Sequence, residues 1–410
     1  MVGRCHAGEK LGALQVFQHN FCHARGIFLI HIGVHRERRH LTRQPCGGLQ
    51  VASCSLSLSY PRCSGQISLG AARCESGQEL TSPTIAKPFQ AFPWSPPFAC
   101  GGHPKMRYQL ALSAEDIRDQ VWHEFAGVGL LRGEYILRKA GIFSTHPEAK
   151  AVIRAYLDQV CRLFPSQPVW YRFSELEVAE ANAVAEVDHI LPVERNPVIG
   201  LRGVRRAMRF PDSFGAEIDA ILPCLREHAQ LGVIVPFVND PSEVAFVKTE
   251  LRRRGVSPPF GMMAEIPAAI LRLEDFLKLG VECVLIGMND LTGLALGIER
   301  GKDKACFRHP AMRELISMAR AKTTEFGVTL SVAGYIDRPF LRMAADIGVD
   351  YAILHYSSLN EIFPEEFPNL PEQHNLRAIK EKTKRMIADF EATRSALTPR
   401  AGHMRGTTSD

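Results

Sequence analysis

LGVIVPFVNDPSEVAFVKTELRRRGVSPPFGMMAEI, residues 231–266, reads as strand, helix, strand. LGVIVPFV and PFGMMAEI are short and almost wholly apolar, the pattern of strands buried on both faces. Between them PSEVAFVKTELRRRG is an amphipathic helix, and it stops at Gly255, which can take the left-handed conformation of a helix end. The unit is βα followed by β, not a hairpin.

The same unit recurs on either side. RYQLALS (107–113), GVGLL (127–131) and VWYRF (169–173) read as strands before it, and CVLIG (283–287), VTLSVAG (328–334) and YAILH (351–355) as strands after it. Ser113 is expected to cap a helix AEDIRDQVWHEF whose Glu115 and Asp116 suit the positive helix end. EAKAVIRAYLDQVCRLF and HPAMRELISMARAKTTEFG are further helices, the second ending at Gly327. Eight buried strands with crossover helices suit a closed (β/α)8 TIM barrel over residues 106–380. The open doubly wound sheet is the alternative, but no glycine-rich dinucleotide loop follows the first strand.

Residues 1–105 differ in character. They hold 11 Lys/Arg against 4 Asp/Glu, whereas the remaining 305 residues hold 38 against 40. The net charge of +5 therefore belongs to the first segment, and the barrel carries no globally basic surface for nucleic acid. Seven of the 11 cysteines also fall there, at irregular spacing with no CxxC pair, which excludes a regular zinc-finger framework. Stretches such as PFQAFPWSPPFACGGHPK fit neither helix nor strand. Residues 1–105 are expected to be poorly structured, or to precede a physiological start at Met106; residues 381–410 are expected to form a helix end and a flexible tail. No apolar run approaches the roughly 18 residues of a membrane span, so no membrane association and a cytoplasmic location are expected. Cys161, Cys224, Cys283 and Cys306 are expected to be buried small hydrophobes.

In such a barrel, polar residues just after apolar strands converge on one mouth. Arg132 follows GVGLL, Arg172 lies in VWYRF, and Arg202 lies in NPVIGLRGVR. Each would serve as an ordinary anchoring residue alone. Together they would bind carboxylate and phosphate through planar, permanently charged guanidinium groups. Glu265 in GMMAEIP and Asp290 in GMNDLTG offer carboxylate oxygens of the kind Mg²⁺ takes, with Mn²⁺ as the alternative ion. A helix cap for Glu265 and a local turn for Asp290 are the competing explanations. Asn289 would orient phosphate or metal-bound water.

With these pieces in order, GVGLLRGE, VWYRF, NPVIGLRGVR, GMMAEIP and GMNDLTG, the chain from Met106 to about Lys380 resembles the C-terminal phosphoenolpyruvate/pyruvate-binding barrel of pyruvate phosphate dikinase, phosphoenolpyruvate synthase and the sugar phosphotransferase enzyme I. The resemblance implies Arg132, Arg172 and Arg202 as substrate-binding arginines, Glu265 and Asp290 as magnesium ligands, and Asn289 as a phosphate-side contact. It also allows a homodimer. Departures accompany it. SVAGY stands where such barrels have an SxCGE-like strand end, placing Ala333 at the catalytic cysteine and Tyr335 at the following acidic position. RGE replaces RTE after Arg132, so Gly133 lacks a threonine hydroxyl.

The resemblance thus implies magnesium-dependent enolate chemistry on phosphoenolpyruvate, pyruvate or a related 2-oxo acid, as a lyase or transferase, with the cysteine's task unassigned. His355, at the end of YAILH, and Tyr335 are the candidate proton donors. Two other readings are a noncatalytic binding or regulatory barrel and a phosphotransfer component served by a separate phosphohistidine protein.

Overall fold

Alternate residues of each strand face two different cores, which is what a closed barrel requires of its sequence. The computed structural model describes residues 106–115, 125–300, 303–365 and 374–397. The expected N-terminal segment 1–105 and the tail beyond 397 lie outside the described residues. Eight parallel strands close in chain order: β1 Arg107–Leu112, β2 Val128–Arg132, β3 Val169–Arg172, β4 Leu231–Val235, β5 Phe260–Ala264, β6 Cys283–Gly287, β7 Thr329–Ala333 and β8 Tyr351–His355. Pairing of β1 with β8 shuts the barrel, with Ala111 opposite His355. From β2 onward helices connect successive strands, so the fold is the expected TIM barrel.

Outward residues such as Leu110, Val128, Tyr171, Val233, Met262, Ile286 and Val332 pack against the helices in one large core. Inward residues Ala111, Leu130, Trp170, Ile234, Met263, Leu285, Ala333 and Ile353 form a separate plug. That parity positions the site. Two residues beyond Leu130, Trp170, Met263 and Ile353 stand Arg132, Arg172, Glu265 and His355, so the period of two carries these side chains from the plug to the carboxyl-end mouth.

Helix Pro241–Arg253 begins on Asp240 with a capping box from Glu243, and the expected glycine ends hold, with Gly255 at φ 73° and Gly327 at φ 66°. Several local expectations change. Asn289 and Asp290 lie in the first turn of helix Met288–Leu296, not in an isolated turn. Arg202 precedes helix Gly203–Arg209 and belongs to no strand end. Cys161, Cys224 and Cys283 are buried, but Cys306 is only half-buried. The expected helix after Ser113 falls largely on residues 116–124, outside the described residues. Its start is a turn through Ala114, at φ 61°, that folds Glu115 back so that its carboxylate accepts from the Ser113 amide. Helix His374–Leu397 runs through residue 380, and its Leu376, Lys380, Thr383, Lys384 and Ile387 line one wall of the mouth. No described helix is long and apolar enough to cross a membrane.

Candidate functional site

The mouth is floored by plug residues Ala111, Leu130, Met263, Ala333 and Ile353 and walled by Arg132, Arg172, Glu265, Asn289, Asp290, Arg300, Tyr335 and His355. Seven of the eight residues singled out from the sequence therefore share one cavity. Arg202, the eighth, is buried just behind it: its Nη2 is 2.9 Å from Glu175 Oε1 and 4.0 Å from Asp290 Oδ2.

Two arginines are fixed by counter-charges that the sequence did not single out. Arg172 donates to Glu134 and lies 2.8 Å from Glu175 Oε2, and all three side chains are buried. Burial raises the Glu134 carboxyl, but Arg172, Arg138 and Arg132 together hold it below the usual carboxylate range. Burial lowers the Arg172 guanidinium while Glu134 and Glu175 raise it, with a net rise. Glu134 and Arg172 thus form an ionised pair. Yet the Nε atoms of Arg132, Arg172 and Arg202 and Nη1 of Arg202 are buried without a hydrogen-bond partner among the described residues. Unmet buried donors of this kind are costly, and an anionic ligand would satisfy them.

The Glu265 and Asp290 carboxylates lie beside these arginines. Glu265 Oε2 accepts from the Phe237 amide at 3.1 Å, and Phe237 holds a left-handed backbone, φ 54°, rarely occupied by a bulky residue. The Phe237 ring also lies under Arg202, 4.8 Å from the guanidinium carbon. Burial pushes the Glu265 carboxyl up to about 8; the charges of Glu175 and Asp290 add to the rise, and Arg172 and Arg202 oppose it. Asp290 Oδ1 is 2.9 Å from Arg300 Nε but outside hydrogen-bond geometry, which leaves its lone pairs undirected. Asn289 Oδ1 accepts from the Tyr335 amide at 3.2 Å, while the Tyr335 residue is 45% exposed. Crowded, desolvated carboxylate oxygens without thiolate or imidazole neighbours fit a hard divalent cation.

Glycines make room for this. A Cβ on Gly287 would lie 2.4 Å from Glu265 Oε1 and 2.5 Å from its Cγ. Gly287→Ala should therefore displace the Glu265 carboxylate and cost about 1–3 kcal/mol by overpacking. Urea unfolding beside a Mg²⁺ titration checks this, and an unchanged pair of values would show that Glu265 is not held against β6. At Gly133 a Cβ would lie 2.4 Å from the Tyr171 hydroxyl, which donates to buried Glu217 at 2.8 Å. A threonine has no space there, which accounts physically for RGE.

Among the described residues one other group suits a cation. Asp158, Glu227 and His228 bring their donor atoms within 4.8 Å of one another. They precede β4, at the opposite end of the barrel, and Arg162 and Arg154 already pair with Asp158 at 2.8 Å and with Glu227 at 3.0 Å. Ion pairing explains that group.

Residues 109–362 match the family described as PEP-utilising enzyme, PEP-binding domain, over more than half of the chain. The chain belongs to that family. A phosphoenolpyruvate synthase from Pyrococcus furiosus is 31% identical over 245 residues, covering 55% of this chain and 30% of the relative. A probable phosphoenolpyruvate synthase from Methanocaldococcus jannaschii is 33% identical over 227 residues, covering 51% and 19%. A multiphosphoryl transfer protein from Xanthomonas campestris pv. campestris is 29% identical over 221 residues, covering 51% and 25%. The chain thus spans under a third of the length of these curated relatives. The PEP-binding domain match takes in every mouth residue on the strands and on helix Met288–Leu296, and it ends before helix His374–Leu397.

Proposed function

We propose that this barrel binds phosphoenolpyruvate, pyruvate or a related 2-oxo acid together with Mg²⁺ and stabilises its enolate. The observation that carries the reading is the meeting, at one mouth, of the unmet buried guanidinium donors of Arg132 and Arg172 with the crowded carboxylates of Glu265 and Asp290. Arg132, Arg172 and Arg202 would hold carboxylate or phosphate oxygens, with Asn289 and Arg300 contributing from beside Asp290. Glu265 and Asp290 would hold the Mg²⁺, or Mn²⁺, which when bound supplies positive charge where the enolate oxygen develops. The buried ion pairs of Arg172 and Arg202 would keep these arginines oriented without reorganisation at the reacting centre.

Ala333 occupies the end of β7, where the family resemblance places a cysteine that exchanges the enolate proton. A methyl group moves no proton, so that task falls to another side chain or is lost. Loss would make the protein a noncatalytic binding or regulatory barrel, and Ala333 is the observation that favours this second reading. A phosphotransfer role would need a phosphohistidine partner supplied separately.

Calorimetric binding of oxalate, phosphoenolpyruvate, pyruvate, oxaloacetate and larger 2-oxo acids, each with and without Mg²⁺, tests the reading. Mg²⁺-dependent binding of at least one acid, with product or isotope exchange, is expected. Binding without either outcome across the panel selects the regulatory reading, and no binding at all rejects both.

A further inference from the structure

Beside the metal-binding carboxylates and across the floor from them, β1 and β8 bring a second polar group to the mouth. Ser357 Oγ lies 2.7 Å from His355 Nδ1 and lines the cavity, while Nε2 of the same ring lies 3.0 Å from Glu115 Oε1 and 3.1 Å from Ser113 Oγ. The backbone amide of Ser357, which can only donate, is 3.2 Å from Nδ1. That fixes the neutral ring: Nδ1 holds the lone pair and Nε2 carries the proton toward Ser113 and Glu115. Both ring nitrogens are occupied, so of these two cavity-lining residues Ser357 is the one whose hydroxyl keeps a lone pair for a ligand.

Glu115 is fully buried, and among the described residues its one hydrogen bond comes from the Ser113 amide, so it acts on the ring by charge at short range. Its placement is specific, since the left-handed Ala114 turn is what folds it back, and Lys139 Nζ holds that turn through the Ala114 carbonyl at 2.9 Å. A carboxylate on one side of an imidazole and a hydroxyl on the other is the arrangement that lets a hydroxyl exchange protons. His355 as a mere cap for the turn at Tyr356–Ser358 would account for the Nδ1 contacts but not for a buried carboxylate brought to Nε2.

We propose that Ser357, acting through His355 with Glu115 as a positioning residue, exchanges the proton at C3 of the bound 2-oxo acid in place of a thiol at position 333. The proposal rests on the enolate reading above. In the forward step the C3–H bond breaks, and its electron pair becomes the enolate double bond as the carbonyl oxygen takes the negative charge. Ser357 Oγ takes that proton while its own passes to His355 Nδ1, and the imidazolium is balanced by Glu115. The reverse step returns both protons. Tyr335, whose backbone amide donates to Asn289, has no comparable partner chain among the described residues.

The groups facing His355 are Glu115 after β1, Arg132 at the end of β2 and Lys380 on the C-terminal helix. Burial lowers the His355 pKa, Glu115 raises it, Arg132 and Lys380 lower it further, and the net effect is a lowering that leaves the ring a base at neutral pH.

The experiment follows deuterium entry into the methyl group of pyruvate by NMR, using the full chain with Mg²⁺, and measures oxalate affinity in parallel. Parent protein should exchange; Ser357→Ala should lose roughly 100-fold, the scale of general acid–base catalysis, with oxalate affinity unchanged. Ser357→Thr, which keeps the hydroxyl, should restore exchange. Glu115→Gln should move the ascending limb of the pH profile to lower pH and lower its plateau, a shift that a structural cap would not produce. Exchange by Ser357→Ala at the parental rate overturns the proposal. So does a parent that binds oxalate and does not exchange, which leaves the binding site standing. A parent that binds no oxalate removes the enolate reading and the relay with it.

Discussion

Glu265→Gln and Asp290→Asn should each weaken Mg²⁺-supported oxalate binding by roughly 100-fold or more, since even residues that only orient metal ligands contribute 10–100-fold. Each substitution keeps the shape of the side chain and removes the ionic oxygen, so circular dichroism should show the parental fold. The pH dependence separates the two. Glu265 is raised to about 8 in the folded protein, so near neutrality it is largely protonated and must lose its proton to hold a cation. Parental Mg²⁺ affinity should therefore climb with pH until about 8, and binding at neutral pH should release a proton into the buffer. Glu265→Gln should lack both effects. The stability linkage has the same origin. A carboxyl whose folded pKa is raised contributes stability that is complete below its unfolded value and is lost as pH rises through the folded one. Between the unfolded value near 4.3 and the folded value of about 8, the metal-free parent should lose stability that Glu265→Gln retains. Parental magnesium affinity in both folded variants would remove this pair as the metal ligands.

The second large effect is structural. Arg172→Met should destabilise the barrel by about 3–5 kcal/mol, because it leaves the buried Glu134 carboxylate without its direct ion-pair partner and leaves Glu175 to Arg202 alone. The loss should be present at neutral pH and shrink in acid, since protonating Glu134 removes the unpaired charge. Adding Glu134→Gln to Arg172→Met should recover a large part of the stability, as neutral replacements for buried pairs often do. Urea denaturation of the two single variants and the double variant measures the coupling. Strictly additive values would mean that Arg172 and Glu134 do not act as a pair. Ligand binding should remain lost in the double variant whatever its stability, because the guanidinium is absent.

The sequence made the barrel legible because each strand is a short apolar run and each connecting helix has its own stop signal. Arg132, Arg172, Glu265 and His355 were legible for a related reason: strand parity carries a polar residue at a strand end to the mouth. Asn289 and Asp290 were found for their chemistry, and the competing explanation, a local turn, gives way to the first turn of helix Met288–Leu296, because a polar pair after Gly287 suits a turn and a first helical turn equally well. Glu115 and Ser113 were misread for the same kind of reason, since a serine and a carboxylate before an apolar stripe look like a helix cap whether or not they turn inward. Glu134 and Glu175, the partners of Arg172, have no spacing that marks them as buried. Arg300 lies ten residues beyond Asp290 in sequence, and only the path of helix Met288–Leu296 returns it to Asp290. The Phe237 amide, a backbone donor, has no signature in residue types at all.

The pairing of β1 with β8 has a consequence for how the protein is made. Arg107 and Tyr351 meet across that seam although 244 positions separate them in the chain. A ribosome emitting this polypeptide releases seven strands before the eighth exists, and throughout that interval β1 presents an open edge to the cell. The arginine and carboxylate side of the mouth, built by β2 to β6, can assemble from what has already emerged. Ser113 and Glu115 stand on one side of the seam and His355 and Ser357 on the other, so the proposed relay is complete only once β8 has closed on β1. In mild denaturant that would loosen this seam first, exchange should disappear at a concentration where oxalate is still held.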